Sequence, residues 1–307
     1  PNIIGDEASL IGDILQATVL RMLGGSKDNF YMKIGNPFNR GHFYRTWTDG
    51  SYYRIFIDYI RALDEGRYTE EFIEEMKREA LFEILYACKT PPEDKMIAGG
   101  WMPLLTETEI KRAYVEAIQP FGDLRLGNDV SGGGRNYSAS VLRGYNVASL
   151  LYKKRQPDTM IFTGQIVNFA TSLMIKQDRV FADKIGIGRG LSDRLGELKA
   201  GTGVSVSEES RMPERFYNLR AELYWWAREW ILKGGKLEKP TDGENDNIWL
   251  QLSQIYYRII DSRGKIQIMS KEEMLKRQIE SPDVADAFML TFYVPDTMYQ
   301  RPDQTTI

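Results

Sequence analysis

Residues 123–144 read DLRLGNDVSGGGRNYSASVLRG, and this stretch decides the fold. Two strand-like runs flank a glycine cluster. The pattern predicts one strand ending at Asp129, a flexible turn over SGGGR and a second, antiparallel strand through Val141. NVASLLYKK (146–154) reads as a third strand after another glycine-containing turn. DTMIFTGQIVNFATSLMIKQ (158–177) then sets Phe162, Ile166, Phe169 and Leu173 on one helical face. RVFADKIGIG (179–188) reads as a fourth strand ending in glycines, LSDRLGELK as a short helix and TGVSVS as a strand. ERFYNLRAELYWWAREWILKGG (214–235) is a long helix closed by Gly234 and Gly235. A late strand, GKIQIMS, precedes a last helix in SPDVADAFMLTFY (281–293). Three strands, a helix, a strand and further helices imply an α/β fold, a mixed sheet covered by helices.

The front of the chain has another rhythm. Residues 1–50 read as short strands and turns, in NIIGDEAS and FYMKIGNPFNRGHFY. TEEFIEEMKREALFEILYAC (69–88) reads as one helix, capped by Thr69, with Phe72, Met76, Ala80 and Ile84 as its stripe. KTPPEDKMIAGGWMPL is a turn-rich connector, and ETEIKRAYVEAI (107–118) a short helix. The domain boundary is expected near Gln119–Pro120, giving domains 1–119 and 120–307. The chain begins without Met on a strand-like run, and reads as a fragment or cleaved product.

Composition narrows the chemistry. The 307 residues include 42% hydrophobic and 27% charged side chains, enough for a globular core. A net charge of -3 restricts any nucleic-acid binding to local patches. One Cys, Cys88, excludes an internal disulfide, and one His, His42, excludes a His-rich zinc site; both read as structural. No long apolar span is present, so no membrane partner is expected. Aspartate and glutamate chemistry is what remains.

Three aspartates occupy comparable places at element ends. Asp129 ends the first strand, Asp183 lies near the end of the fourth, and Asp286 lies with Asp283 in the opening of the last helix. Ser281 is placed to cap that helix, with Pro282 at its first position. Asp283 complements the helix dipole, but Asp286, a turn in among apolar residues, needs a partner, and a metal ion is one candidate. If the first and fourth strands are neighbours, Asp129 and Asp183 sit side by side and the final helix brings Asp286 to them. Crowded carboxylates raise one another's pKa unless a cation is present, and hard oxygen ligands favour Mg²⁺ or Mn²⁺. By pattern alone, 43 acidic residues will always leave some at strand ends.

LGNDVSGGGRNYSASVLRG, FADKIGIGRGLSDRL, FYNLRAELYWWAREW, GKIQIMSKEEMLKR and SPDVADAFMLTF resemble, in order, the nuclease domain of the viral (bacteriophage) terminase large subunit. The resemblance covers most of residues 120–295. It implies a ribonuclease-H-like fold in which Asp129, Asp183 and Asp286, with Asp283 more loosely matched, hold two Mg²⁺ or Mn²⁺ ions for hydrolysis of DNA phosphodiester bonds. It implies double-stranded DNA, a portal and a terminase small subunit as partners, a homo-oligomer in the assembled motor, and the host cell cytoplasm as location. NIIGDEAS and IGNPFNRGHFY resemble the Walker B strand and the next strand of a packaging ATPase, with Asp6 on Mg²⁺, Glu7 activating water and Asn36 as a sensor. A partial P-loop ATPase segment and helical linker would thus precede the nuclease. The chain has no G-x-x-x-x-G-K-[ST], so ATP hydrolysis is not expected of it. An alternative is a DNA-gripping or portal-docking module with little intrinsic cleavage.

Other features have simpler readings. GIGRG is too short for a dinucleotide fingerprint. Arg189 within it departs from the small residue expected there, and is either exposed or a phosphate contact. Leu219, Leu223, Trp226 and Trp230 read as a core stripe. Lys271, Lys276, Arg277, Arg215 and Arg220 read as a solvated face able to position phosphates, and Asp193 and Glu222 as surface or helix-pairing residues.

Overall fold

The computed structural model describes residues 2–25, 28–38, 41–78, 81–90, 100–132, 136–185, 188–239 and 248–295. The chain divides into two compact units, one of residues 1–102 with 258–266, the other of 103–257 with 267–300. This division falls ahead of the composition change at Gln119–Pro120.

The first unit opens with a βαβ turn. β1 (Ile3–Gly5) and β2 (Tyr31–Lys33) pair in parallel, joined through α1 (Asp13–Met22). α2 (His42–Thr48), α3 (Tyr59–Asp64), α4 (Glu70–Met76) and α5 (Phe82–Leu85) follow. Helices α1 and α2 were hidden from the sequence reading because neither has a side-chain cap and α1 leaves Ile14, Leu15, Leu20 and Met22 exposed. The single helix expected over 69–88 is instead α4 and α5, with a turn at 77–78. Its cap is as expected, Thr69 accepting from the Phe72 N–H, while Ala80 lies outside the described residues. Ile73, Phe82 and Ala87 form the small core here, flanked by Tyr59, Phe72 and Tyr86.

Past β3 (Met102–Pro103), α6 (Glu107–Ala113) is set by a capping box between Thr106 and Glu109. The helix expected to run to 118 stops there and becomes β4 (Tyr114–Val115). Then come β5 (Arg125–Asp129), β6 (Ser138–Arg143), β7 (Val147–Lys154), α7 (Thr159–Ser172), β8 (Val180–Asp183), α8 (Gly188–Glu197) and β9 (Thr202–Val204). α9 (Leu219–Leu232), β10 (Lys236–Glu238), β11 (Tyr256–Ile259), β12 (Ile266–Ile268), α10 (Lys271–Lys276) and α11 (Asp283–Leu290) complete the described elements.

Seven strands form one mixed sheet, in the order β4-β10-β7-β6-β5-β8-β9. β5, β6 and β7 are an antiparallel meander, and β8 then returns parallel to β5, with β9 parallel beyond it. β6 is buried at every residue, as a central strand covered on both faces must be. Its polar residues are satisfied: Ser140 Oγ donates to Asn128 Oδ1 at 2.7 Å, and Asn128 Nδ2 to the Phe181 carbonyl at 2.9 Å. One face is a closed core of Leu126, Val180 and Ala182 against Phe162, Ile166, Leu191 and Leu195 of α7 and α8. By strand alternation Gly127, Asp129, Phe181 and Asp183 point to the other face.

α11 lies on that other face, and Gly127 is the reason it fits. A Cβ at Gly127 would stand 2.0 Å from the Ala287 carbonyl oxygen and 3.1 Å from the Thr291 nitrogen. The helix backbone therefore rests directly on β5, which no residue with a side chain permits.

Candidate active site

The parallel register of β5 and β8 pairs Asn128 with Ala182, so the next residues, Asp129 and Asp183, end adjacent strands side by side. α11 delivers Asp286 and Asp283 to the same end. Asp129, Asp183 and Asp286 line one cleft of about 390 Å³, with Asn218, Arg220, Ser270 and Lys271 among its other walls. The three aspartates singled out from the sequence are thus gathered at one place, with Asp283 beside them.

Each carboxylate is held by its own neighbours. Asp286 is 3% exposed, and its Oδ1 accepts from the Tyr224 hydroxyl at 2.5 Å and from Arg220 Nη2 at 3.4 Å. Its Oδ2 lies 2.8 Å from Lys271 Nζ, an ion contact without hydrogen-bond alignment. Asp283 Oδ2 accepts from the Tyr137 N–H at 2.7 Å, and Asp183 Oδ1 from the Ile185 N–H at 3.0 Å. Among the described residues no three acidic, His or Cys side chains stand close enough to enclose one ion as they are.

The electrostatics record a shortage of positive charge. Four carboxylates face two cations, Lys271 and Arg220. Burial, then the charges of Asp286, Asp283 and Asp183, push Asp129 well above its ordinary value despite Lys271. Burial also raises Asp183 and Asp283, against the N–H bonds that each accepts. Asp286 is the exception: burial opposes its charge, but Lys271 and Arg220 bring it down to about 2. Lys271, whose side chain is half exposed, is raised in turn by Asp286. Uncompensated buried negative charge of this kind, on hard oxygen donors, suits a divalent cation.

Several expectations change. α11 begins at Asp283 with Pro282 as its cap residue, and Ser281 bonds the Asp283 carboxylate instead of a helix N–H. Proline there contributes only its carbonyl, which accepts from the Asp286 N–H at 2.8 Å. Glu222 is buried, not a surface residue, and accepts from Ser210 Oγ and the Arg211 N–H. Trp225 and not Trp226 is the fully buried tryptophan of α9, because nine residues of that helix are buried and no single stripe suffices. Lys271 is committed to Asp286, and Arg277 to Glu273 one turn earlier on α10 at 2.8 Å. Arg189 is exposed in the first turn of α8. Tyr224 was missed; Arg220 and Tyr224, four apart and so on one face of α9, were the available signal.

In the first unit, Asp6 and Glu7 follow β1. Glu7 sits at φ 49°, its N–H bonded to Asp6 Oδ1 at 3.0 Å, and burial then Asp6 raise its pKa. The backbone at Glu7 and Ala8 packs against Gly35, where a Cβ would stand 3.1 Å from the Glu7 Cα and the φ of 146° strains any residue with a side chain. The Asn36 side-chain amide faces the carbonyls of Ile84 and Leu85, 3.2 Å from each, and satisfies them when its nitrogen is assigned to that side.

With the geometry established, comparison with known proteins adds the fold's relatives. No protein-family model and no curated protein matches the sequence. Among solved structures, the nuclease domain of the large terminase subunit gp2 of bacterial virus Sf6 superposes with a TM-score of 0.55, over 63% of this chain and 100% of that one, at 20% identity. This chain contains the fold of a terminase nuclease domain. A mutant of the same Sf6 domain with manganese gives 0.54 at 19% identity, and one with calcium 0.54 at 20%, each over 63% of this chain and all of that one. The terminase nuclease fold here is the seven-stranded mixed sheet flanked by helices, ribonuclease-H-like as expected.

Proposed function

We propose that this chain is a metal-dependent endonuclease of a viral DNA-packaging motor, cutting double-stranded DNA with little sequence preference. The observation that carries the reading is the gathering of Asp129, Asp183 and Asp286 in one cleft, at the end of β5 and β8, with too few cations to neutralise them. The Sf6 nuclease structures that contain manganese or calcium support divalent-metal use. Asp129, Asp183 and Asp286 would hold two Mg²⁺ or Mn²⁺ ions, with Asp283 beside them. When bound, such ions activate an attacking water and stabilise the leaving oxygen. The chain's own contribution is positioning. Arg220, anchored on the Met269 carbonyl at 2.7 Å, and Tyr224 fix the Asp286 carboxylate, while the Tyr137 N–H fixes Asp283. A portal, a terminase small subunit and further copies of the chain are the partners this reading implies, in the host cytoplasm. Among the described residues no helix is long and apolar enough to cross a membrane. The first unit is read as the end of an ATPase domain, with Asp6, Glu7 and Asn36 as its remnant site.

One observation favours the rival reading, a DNA-gripping or portal-docking module: the carboxylates do not already enclose a common point. Plasmid incubated with Mn²⁺, with and without chelator, separates the two. The expected result is chelator-sensitive nicking that falls about a hundredfold or more in Asp183→Asn, with the circular-dichroism spectrum unchanged. Undiminished cutting by that variant removes Asp183 from the chemistry, and no cutting by the parent chain leaves the gripping module.

A further inference from the structure

The same end of the sheet carries a second feature, which sequence reading passed over. Asp129 pairs with Ala139 on β6, and Ala139 pairs with Lys153 on β7. Asp129, Ala139 and Lys153 therefore form one row across the sheet with their side chains on one face. Lys153 opens a run of three cations, Lys153, Lys154 and Arg155, as β7 leaves the sheet. Two strand spacings separate the ends of the row, roughly 10 Å, which spans about three nucleotide rises of a B-form strand.

An aromatic ring gathers two of the three, while Lys154, on the opposite face of the strand, has its Nζ 5.9 Å from the centroid of Tyr152. Lys153 Nζ lies 4.6 Å, and Arg155 Cζ 4.9 Å, from the centroid of Tyr137. Tyr137 is the residue whose N–H binds Asp283. The cation pair and the acidic cleft are thus built on the same short segment. Lys154 and Arg155 are exposed. The nearest following acid, Asp158, gives its carboxylate to the N–H groups of Met160 and Ile161 as the cap of α7.

We infer that Lys153 and Arg155, braced on Tyr137, form a phosphate rail that holds duplex DNA about three nucleotides from the bond to be cut. This rests on the nuclease reading and adds to it the side on which the DNA backbone leaves the cleft. A rail is needed for a physical reason: a chain of net charge -3 with under-compensated acids at its cleft repels DNA unless cations on one side set its path.

The test measures salt dependence of binding by the full chain. Fluorescence anisotropy of a labelled 30-base-pair duplex, in chelator and across a KCl series, gives the slope of log affinity against log salt. Replacing both Lys153 and Arg155 by Ala should reduce that slope by about 2 and weaken binding about tenfold or more, since each phosphate contact contributes roughly 0.9. The charge-keeping variant K153R/R155K should restore the slope, and in the Mn²⁺ nicking assay the Ala variant should need more DNA for half-maximal rate with the limiting rate kept. An unchanged slope in the Ala variant, with parent-like nicking, overturns the rail and leaves the nuclease standing. A parent chain that binds duplex with the expected slope but does not cut rejects the nuclease and reduces the rail to a DNA-gripping surface. A parent chain that neither binds nor cuts rejects both.

Discussion

β5 enters between arginines and leaves among carboxylates, and its two ends show what the same residue type does under opposite charge balance. At the entry, Asp123 bonds Arg179 Nε at 2.6 Å and Arg125 Nε at 3.0 Å. Burial pushes Asp123 up, but the bonds and charges of Arg179 and Arg125 bring it below its ordinary value. At the exit, Asp129 is raised by burial and by three other carboxylates. One acid is over-matched by cations and acts as a structural clasp. The other is under-matched and stores electrostatic cost that a bound cation would relieve. The sheet supplies rigidity to both; only the exit supplies a cleft.

The comparison can be broken from its centre outward. Gly127→Ala in the middle of β5 should have the largest effect. Its Cβ would meet the Ala287 carbonyl, lifting α11 and drawing Asp286 away from Asp129. Nicking should fall with it, and urea denaturation should show a loss of about 1–3 kcal/mol. Asp123→Ala tests the clasp: leaving Arg125 and Arg179 with a lost partner should cost about 2 kcal/mol, less than for a fully buried pair, with nicking per folded molecule unchanged. Equal losses of nicking from the two ends would erase the distinction.

The pH response sharpens it. Asp129, Asp183 and Asp283 are raised, so folding favours their protonated forms. The stability they add is complete below the unfolded value of about 4 and is lost as pH rises through the folded values. Asp123 and Asp286 are lowered, so theirs is present above about 4 and is lost as pH falls through the folded values, about 2 for Asp286. In chelator, Asp129→Asn should therefore raise the melting temperature by about 2–4 °C at pH 8 and leave it unchanged at pH 4. A drop at pH 8 would mean the Asp129 charge is already compensated. The smallest effect belongs to the first unit: Glu7→Gln should leave nicking unaltered, and neither chain should turn over ATP. Robust, saturable turnover abolished by Glu7→Gln would restore ATPase function to that unit.

Much of the nuclease-fold unit could be read from local pattern. The strands of DLRLGND, NYSASVLRG and VFAD fall where alternation and glycine punctuation set them, and α7 where its stripe does. Boundaries failed where local signals were thin. The 69–88 stretch keeps helical periodicity across a real turn, and 107–118 changes from helix to strand without a breaker. Of the candidate site, Asp129, Asp183, Asp283 and Asp286 stood out by their places at element ends together with the family resemblance. Tyr224 and the tie of Lys271 to Asp286 were not, because their partner lies far along the chain.

The sequence by itself determined the order of elements from β5 to β9, that one His and one Cys are all it offers, and which aspartates stand at element ends, since these depend on periodicity, turn residues and composition. Only tertiary structure decided that β8 lies parallel beside β5, that α11 rests on Gly127, and that Lys153 shares a row with Asp129. Strand pairing and helix docking are contacts between distant residues, and the charge balance of a site follows from which distant groups they bring within reach.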